Sequence, residues 1–247
     1  MILRSGEKVR MKFRMGCVVL GLAVSPLVLC ASSTKSAKTE AAQSAVASAP
    51  ATLESTLASM DKASTGFKTI QATFAWDQYT KVVDETDTQT GTIYFRRLSS
   101  DSVEMAAHID KPEMKVVLYS RGEVRVYDVK NHTEQKYDAA KNKEEFNSFL
   151  MLGFGGRGHD LTNKFGVEFG GDETVQGTNT AKLLLTPKDE QVLKMFSQII
   201  LWIDTSRGIS VQQKFIQPKS GDYRLAKYSD IRINQKLPDD TFKIKAH

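Results

Sequence analysis

The sequence predicts a mainly β fold of the α+β class: an antiparallel meander with one large apolar face and few helices. Three observations carry this. Apolar and polar residues alternate with period two over most of the chain after residue 50, as in strands with one buried face. Turn-type segments such as Arg121-Gly122, Ser206-Arg207-Gly208 and Ser220-Gly221-Asp222 separate the runs, so consecutive strands pair as hairpins. The alternation breaks at residues 142–158, where a short apolar helix runs into glycines. One such helix is too small to cover the face of so many strands. The uncovered part must meet something apolar.

The chain opens on an export signal, residues 1–31. Met11, Lys12, Phe13 and Arg14 form a basic start, followed by 15 apolar, uncharged residues and then by Ala31, Ser32 and Ser33. That run is short for a permanent membrane anchor. The patternless charged stretch before Met11 points to Met11 as the true start. Residues 32–50 are rich in Ala, Ser, Thr and Lys and bury too little to order, so they are a linker. Residues 51–247 are expected to form a single domain.

Its first element is a helix. Leu53, Leu57 and Met60 make an apolar stripe, Thr52 is the N-cap with Ser55 at the third helical position, and Gly66 ends it. Strands follow. Ile70, Ala72, Phe74 and Trp76 share a face; residues 81–89, acidic and polar, form a hairpin loop; then Ile93, Phe95 and Arg97 share a face. Val103, Met105, Ala107 and Ile109 alternate with polar residues, Val116 and Leu118 continue the pattern with Val124 and Val126, and residues 132–137 make a weaker strand. In the break, Phe146, Phe149 and Leu150 lie on one side of a helix, Leu152 extends it, and the glycine run 153–158 ends it. Strands resume over residues 165–169, 180–186, 196–205, 209–217 and 223–233, and Phe242 and Ile244 close the chain.

Composition excludes several functions. The net charge of +5 is misleading, because residues 1–30 hold five basic residues and one acid; removing them leaves 29 basic and 28 acidic residues. A near-neutral mature chain gives no electrostatic case for nucleic acid. Cys17 and Cys30, the two cysteines, lie in or at the end of the signal, so the mature chain forms no internal disulfide. Leu27-Val28-Leu29-Cys30 is like a lipoprotein processing site, but Leu29 stands where a small residue is expected. Cleavage after Ala31 or Ser32, giving a soluble protein, is favoured over a lipid anchor on Cys30.

Residues 153–158 match G-x-G-x-x-G, but a dinucleotide site needs a strand before the glycines, and here a helix precedes them. They read as a flexible loop. His108, His132 and His159 have no metal-ligand spacing and read as surface or loop histidines. No G-x-S-x-G is present. No enzyme, cofactor or metal is expected. Arg97 stands out because its parity places it with Ile93 and Phe95. A guanidinium at the rim of an apolar face needs partners, which backbone carbonyls at a helix end could supply. An apolar helix on a glycine hinge is a plausible lid.

Over most of residues 52–245 the chain resembles the LolA family, periplasmic carriers of outer-membrane lipoproteins. The segments that carry the resemblance are the N-terminal helix with the strand region from Phe67 to Gln78, Gly91-Thr92-Ile93-Tyr94-Phe95-Arg96-Arg97, Arg121-Gly122-Glu123-Val124-Arg125-Val126-Tyr127-Asp128, Leu184-Leu185-Thr186-Pro187-Lys188, and Phe242-Lys243-Ile244 as a closing strand. Leu98 stands where the family usually has proline, and Met105 where an aromatic residue is expected, which marks a divergent member.

The resemblance implies an unclosed β-barrel, a curved antiparallel sheet with helices covering its concave face. The cavity would be lined by Ile70, Phe74, Trp76, Ile93, Phe95, Val103, Met105, Val116 and Leu118. A lid and rim would comprise Arg97, Phe146, Phe149, Leu150, Leu152, Gly155 and Gly156, the position matching Arg97 being associated with lid closure in the family. The implied protein is a soluble periplasmic monomer. Its partners would be acylated lipoproteins, an inner-membrane lipoprotein-releasing transporter and an outer-membrane acceptor. The alternative is a membrane-anchored lipoprotein acceptor, or a lipid-binding lipoprotein, of the same fold. A periplasmic regulatory sensor on the same sheet ranks below both, because it would call for a second domain after the sheet.

Overall fold

The computed structural model describes residues 50–99, 102–140 and 150–244. The expected export signal and nearly all of the linker lie outside these residues, as does the part of the helix expected at 142–152 that holds Phe146 and Phe149.

The helix α1 (Leu53–Gly66) is fixed at its start by a reciprocal cap: the Ser55 amide donates to Thr52 Oγ1 at 3.1 Å, and the Thr52 amide donates to Ser55 Oγ at 2.8 Å. Six strands follow: β1 (Thr69–Thr80), β2 (Glu85–Ser99), β3 (Ser102–Lys111), β4 (Lys115–Ser120), β5 (Glu123–Asp128) and β6 (Thr133–Asp138). After the helix α2 (Gly158–Lys164) come β7 (Phe165–Val175), β8 (Thr178–Pro187), the helix α3 (Glu190–Met195), β9 (Gln198–Asp204), β10 (Ser210–Ile216) and β11 (Tyr223–Ile233). The strands form one 11-stranded sheet in the order β6-β5-β4-β3-β2-β1-β11-β10-β9-β8-β7, each pair antiparallel. The chain steps outward from β1 to β6, crosses to the far edge at β7, and steps back to β11, which pairs with β1. The edges β6 and β7 are not paired with each other, so this is an unclosed barrel, as expected.

One face, the inner one, carries the helices and the core. Over β1 to β4 and β11 it is built from Ile70, Phe74, Ile93, Phe95, Val103, Met105, Tyr119 and Tyr228, with Phe154 from the crossing segment packed among them. Over β7 to β10 it is built from Leu183, Leu185, Ile199, Leu201 and Ile203, covered by Leu57 and Met60 of α1 and Leu161 of α2. Gly158 lets α2 cross α1 closely, since a Cβ there would lie 2.4 Å from the Leu57 carbonyl oxygen.

Several expectations are corrected. The hairpin loop expected at residues 81–89 is a turn of residues 81–84. The β1–β2 ladder runs to Thr80↔Glu85; its far end is polar on both faces, which hides a strand from periodicity. In β4 the phase is opposite to that expected. Ala107 pairs with Val117 and Met105 with Tyr119, so Val117 and Tyr119 face inward, while Val116 and Leu118 face outward. Both phases of Lys115-Val116-Val117-Leu118-Tyr119-Ser120 are apolar, so period two cannot choose between them; the pairing with β3 does.

The helices α2 and α3 were not anticipated. α2 offers Leu161 as its single large apolar residue, and α3 is one capped turn in which the Asp189 carboxylate accepts from the Gln191 and Val192 amides. The chain end is not a strand. Residues 234–244 lie as turns over the outer face of β2 and β3. There Arg96 Cζ sits 4.4 Å from the Phe242 ring centroid, and His108 Nε2 is 3.2 Å from the Thr241 carbonyl oxygen.

Candidate functional site

The crossing segment meets the inner face at residues 150–156. Its first part is tied to β10: Gln213 Nε2 donates to the Leu152 carbonyl at 2.6 Å, and the Ser210 amide donates to the Gly153 carbonyl at 2.8 Å. Its second part turns on two glycines in the left-handed region, Gly153 at φ 77° and Gly155 at φ 83°. Between them Phe154 drops into the inner face and is 2% exposed. Its ring stacks on Phe95 with centroids 5.4 Å apart and meets Tyr228 edge-on at 4.7 Å. Such aromatic pairs add to simple burial. Burial pushes the Tyr228 phenol up to about 12, so the ring here is a neutral wall.

Arg97 stands at the end of β2 beneath this turn. Its backbone amide donates to the Lys68 carbonyl at 2.8 Å, which fixes the strand end beside α1. One terminal nitrogen, Nη1, donates to the Ser64 carbonyl in the last turn of α1 at 2.9 Å, and Nη2 donates to the Gly155 carbonyl. Ser64 O is one of the carbonyls a helix end leaves without an intrahelical partner. The guanidinium carbon is 4.9 Å from the Phe67 ring centroid. Nε is buried without an acceptor among the described residues. Burial draws the guanidinium pKa down, yet arginine keeps its proton. The side chain thus clasps the end of α1 to the tip of the glycine turn.

Directly after the turn, α2 is latched to α1. His159 Nδ1 lies 2.6 Å from Asp61 Oδ2, the His159 amide donates to Asp61 Oδ1 at 3.2 Å, and Glu54 is 3.3 Å from Nε2. The hydrogen bond that the imidazole donates to Asp61, then that to Glu54, raises the imidazole pKa. A histidine expected to be a simple surface or loop residue therefore joins two helices.

The structure brings Ile70, Phe74, Ile93, Phe95, Val103 and Met105 into one buried cluster, with Trp76 half-buried at its edge and stacked on Phe74. Arg97, Leu150, Gly155 and Gly156 gather at the turn above it, whereas Leu152 is buried in the other cluster, with Leu57, Met60 and the residues of β8 and β9. Val116 and Leu118 are excluded by the phase of β4. Sequence reading missed Phe154, Tyr228, Phe67, Val117 and Tyr119. Phe154 had a signal, as the one large apolar residue within a glycine run. A surface groove of about 520 Å³ lies elsewhere, between the start of α1 and the β7–β8 hairpin, and is lined by polar groups such as Ser55, Ser59, Thr174, Asn179 and Thr205. It does not suit an apolar ligand. Among the described residues no cluster of three or more His, Cys, Asp or Glu could hold a metal ion, and no helix is long and apolar enough to cross a membrane. The arrangement covers an apolar face with a short turn held by a single arginine.

No family model and no curated protein matches the sequence. Likeness is found among solved structures. MucB matches with a TM-score of 0.51 and 14% identity, over 78% of this chain and 63% of that one. The Pseudomonas aeruginosa MucA/MucB complex matches with a TM-score of 0.50 and 16% identity, over 79% of this chain and 62% of that one. A LolA superfamily protein from Nitrosomonas europaea matches at 0.38 and 15% identity, over 78% of this chain and 98% of that one. This chain therefore spans less than two thirds of the MucB chains it matches. At these identities the likeness is one of fold: the unclosed antiparallel barrel with helices on its inner face.

Proposed function

We propose that this chain is a divergent periplasmic carrier of the LolA type, which takes the acyl chains of lipoproteins onto the inner face of β1 to β3 and β11. The observation supporting this is the closure of that face: a glycine turn with one aromatic plug, held by one arginine, covers an otherwise continuous apolar wall. Magnitudes favour exchange of the plug for a ligand. Burying Phe154 contributes about 2–3 kcal/mol, and the hydrogen bond from the Arg97 guanidinium to the Gly155 carbonyl about 1.5–3 kcal/mol, together roughly 3.5 to 6. A single acyl chain burying about 14 methylenes contributes roughly 11 kcal/mol. An acyl chain can therefore displace the turn, and the turn can reseal the face once the chain leaves.

In this reading residues 51–247 are one ligand-binding domain, freed by cleavage after Ala31 or Ser32 and acting as a soluble monomer. Loading would be driven by an inner-membrane lipoprotein-releasing transporter and unloading by higher affinity at an outer-membrane acceptor, so no nucleotide site or catalytic group is needed. If Cys30 is lipidated instead, the same domain is an anchored acceptor. The match to MucB favours a second reading, since MucB is found in complex with MucA(peri): the same inner face or its rim would bind a polypeptide partner.

Mass spectrometry of the protein purified from its native envelope without detergent separates these readings. A free N-terminus near Ser32 with co-purifying acylated lipoprotein is the expected result. A diacylglyceryl group on Cys30 would make the chain an anchored acceptor. A stoichiometric non-acylated polypeptide, with no lipid, would replace the carrier reading with the second one.

A further inference from the structure

Among the described residues Arg97 is a cation held without an anion. Its terminal nitrogens meet two neutral carbonyls, those of Ser64 and Gly155, and its Nε meets no acceptor. Its neighbour Arg96 is matched to Glu104, and Arg125 to Glu134; among the described residues no carboxylate pairs with Arg97. Carbonyl dipoles satisfy hydrogen bonding but leave a half-buried charge uncompensated, a costly arrangement. One of the two carbonyls belongs to the turn that seals the inner face. When the turn lifts, the Gly155 carbonyl leaves with it. A guanidinium steadied by the Phe67 ring then presents Nη2 and Nε together at the mouth of the apolar wall. That pair of adjacent N–H groups is the fork that grips a carboxylate or phosphate through two oxygens.

We propose that Arg97 is the headgroup site of this cavity, and that its preferred occupant is an acyl lipid whose head carries an anionic oxygen group, a phosphate or carboxylate, replacing the Gly155 carbonyl. This rests on the reading of the inner face as an acyl-chain site but not on lipoproteins as the cargo, since a diacylglyceryl thioether head is neutral; on this inference an anionic acyl lipid is the better occupant. A neutral head offers only carbonyl or hydroxyl oxygens, so it exchanges like for like and leaves the charge as it was. An anion supplies the compensation that the closed state lacks and occupies the orphaned Nε. Anionic heads would therefore bias the turn toward its open position, whereas neutral chains of equal length would have to displace it by apolar contact alone.

The test is calorimetric titration of the full mature chain with dioctanoyl phosphatidic acid, with dioctanoyl glycerol of the same acyl length, and with inorganic phosphate. The phosphatidic acid should bind about tenfold more tightly than the glycerol, and inorganic phosphate far more weakly than either. Arg97→Gln, which also loosens the turn and so shifts both affinities, should erase the ratio between the two lipids, and Arg97→Lys, which keeps the charge but not the fork, should retain part of it. Thermal melts of each variant verify folding; if Arg97→Gln does not fold, the wild-type lipid pair and Arg97→Lys still decide. Equal affinity for the two lipids in the wild type would overturn the headgroup site and leave the acyl-chain reading standing. Inorganic phosphate binding as tightly as the phosphatidic acid would make this a free-anion site. No binding of either lipid would overturn the acyl-chain reading itself.

Discussion

The two halves of the inner face are built from the same alternating strands but closed by different means. Over β7 to β10 the wall is mainly aliphatic, with Phe165 in β7 and Phe215 in β10. Leu183, Leu185, Ile199, Leu201 and Ile203 are fully buried beneath Leu57, Met60 and Leu161, and two glycines let backbone meet backbone. Gly158 faces the Leu57 carbonyl, and a Cβ on Gly208 would lie 2.3 Å from the Ser59 carbonyl oxygen. Over β1 to β3 and β11 the aliphatic wall is interrupted by Phe74, Phe95 and Tyr228, and its cover is the turn carrying Phe154. Interdigitated aliphatic packing of two helices on four strands cannot be released in pieces. A turn pivoting on Gly153, with one ring and one charge-assisted hydrogen bond beyond the pivot, can. One half therefore supplies stability, and the other supplies an opening.

The largest effects should come from testing that division directly. Leu201→Ala removes a fully buried side chain from the aliphatic half and should lower the unfolding free energy by about 2–5 kcal/mol in a denaturant titration. Phe154→Ala deletes a larger side chain, so a uniform core would lose at least as much. If the turn opens on its own, its cost is capped by the free energy of local opening. Phe154→Ala should then cost less than Leu201→Ala while increasing binding of an apolar dye to the inner face. A loss from Phe154→Ala equal to or above that from Leu201→Ala, without added dye binding, would mean that the turn is ordinary core.

A smaller effect, confined to the turn, is expected from Gly155→Ala. The position is left-handed, and an added Cβ would come within 2.3 Å of the Phe67 ring. The conformational cost is about 1–2 kcal/mol, and the ring must also move. Because that ring lies against the guanidinium of Arg97, the clasp to Gly155 is weakened at the same time. Amide hydrogen exchange should rise at residues 153–156 and remain at wild-type level in β8 and β9. Faster exchange throughout β8 and β9 would show that the two halves open together.

How much of this could be read from the sequence depended on whether one phase alone was apolar. In β1, β2 and β3 the outward residues are polar or small, so Ile70, Phe74, Ile93, Phe95 and Val103 were placed on the correct face. In β4, Val116 and Leu118 competed with Val117 and Tyr119, and only long-range pairing with β3 decides between them. Arg97 was legible as a cation in an apolar phase, and helix-end carbonyls were suggested as partners. The particular partners were not legible. The carbonyls of Ser64 and Gly155 lie 33 and 58 residues away in sequence, and a backbone carbonyl carries no residue-type signal. The latch between α1 and α2 was hidden for a related reason. Nothing in Asp61 or His159 announces that Gly158 brings two helices close enough for them to meet.

That latch gives the smallest expected effect and the one most sensitive to solution conditions. His159 is raised above its ordinary value of 6.5 by Asp61 and then Glu54. Burial alone would raise Asp61, but hydrogen bonds from His159, with the charges of His159 and Arg157, bring it net below its ordinary 3.8. The signs set a window. The histidine contribution is fully present below the unfolded pKa and is lost as pH rises through the raised folded pKa; the aspartate contribution is present above its unfolded pKa and is lost as pH falls through the lowered folded one. The latch should therefore be strongest between about pH 4 and 6.5 and weaken on both sides. The difference in melting temperature between wild type and His159→Gln should be greatest near pH 5 to 6 and shrink toward pH 8 to 9. A difference flat across that range would mean that α2 is held by Leu161 and the close contact at Gly158 alone. Because α2 starts just beyond the glycine turn, the same pH series followed by dye binding tells whether a loosened latch also loosens the lid. Dye binding that stays flat while the melting difference changes would place the pivot at Gly153, upstream of Phe154, and leave α2 wholly within the locked half.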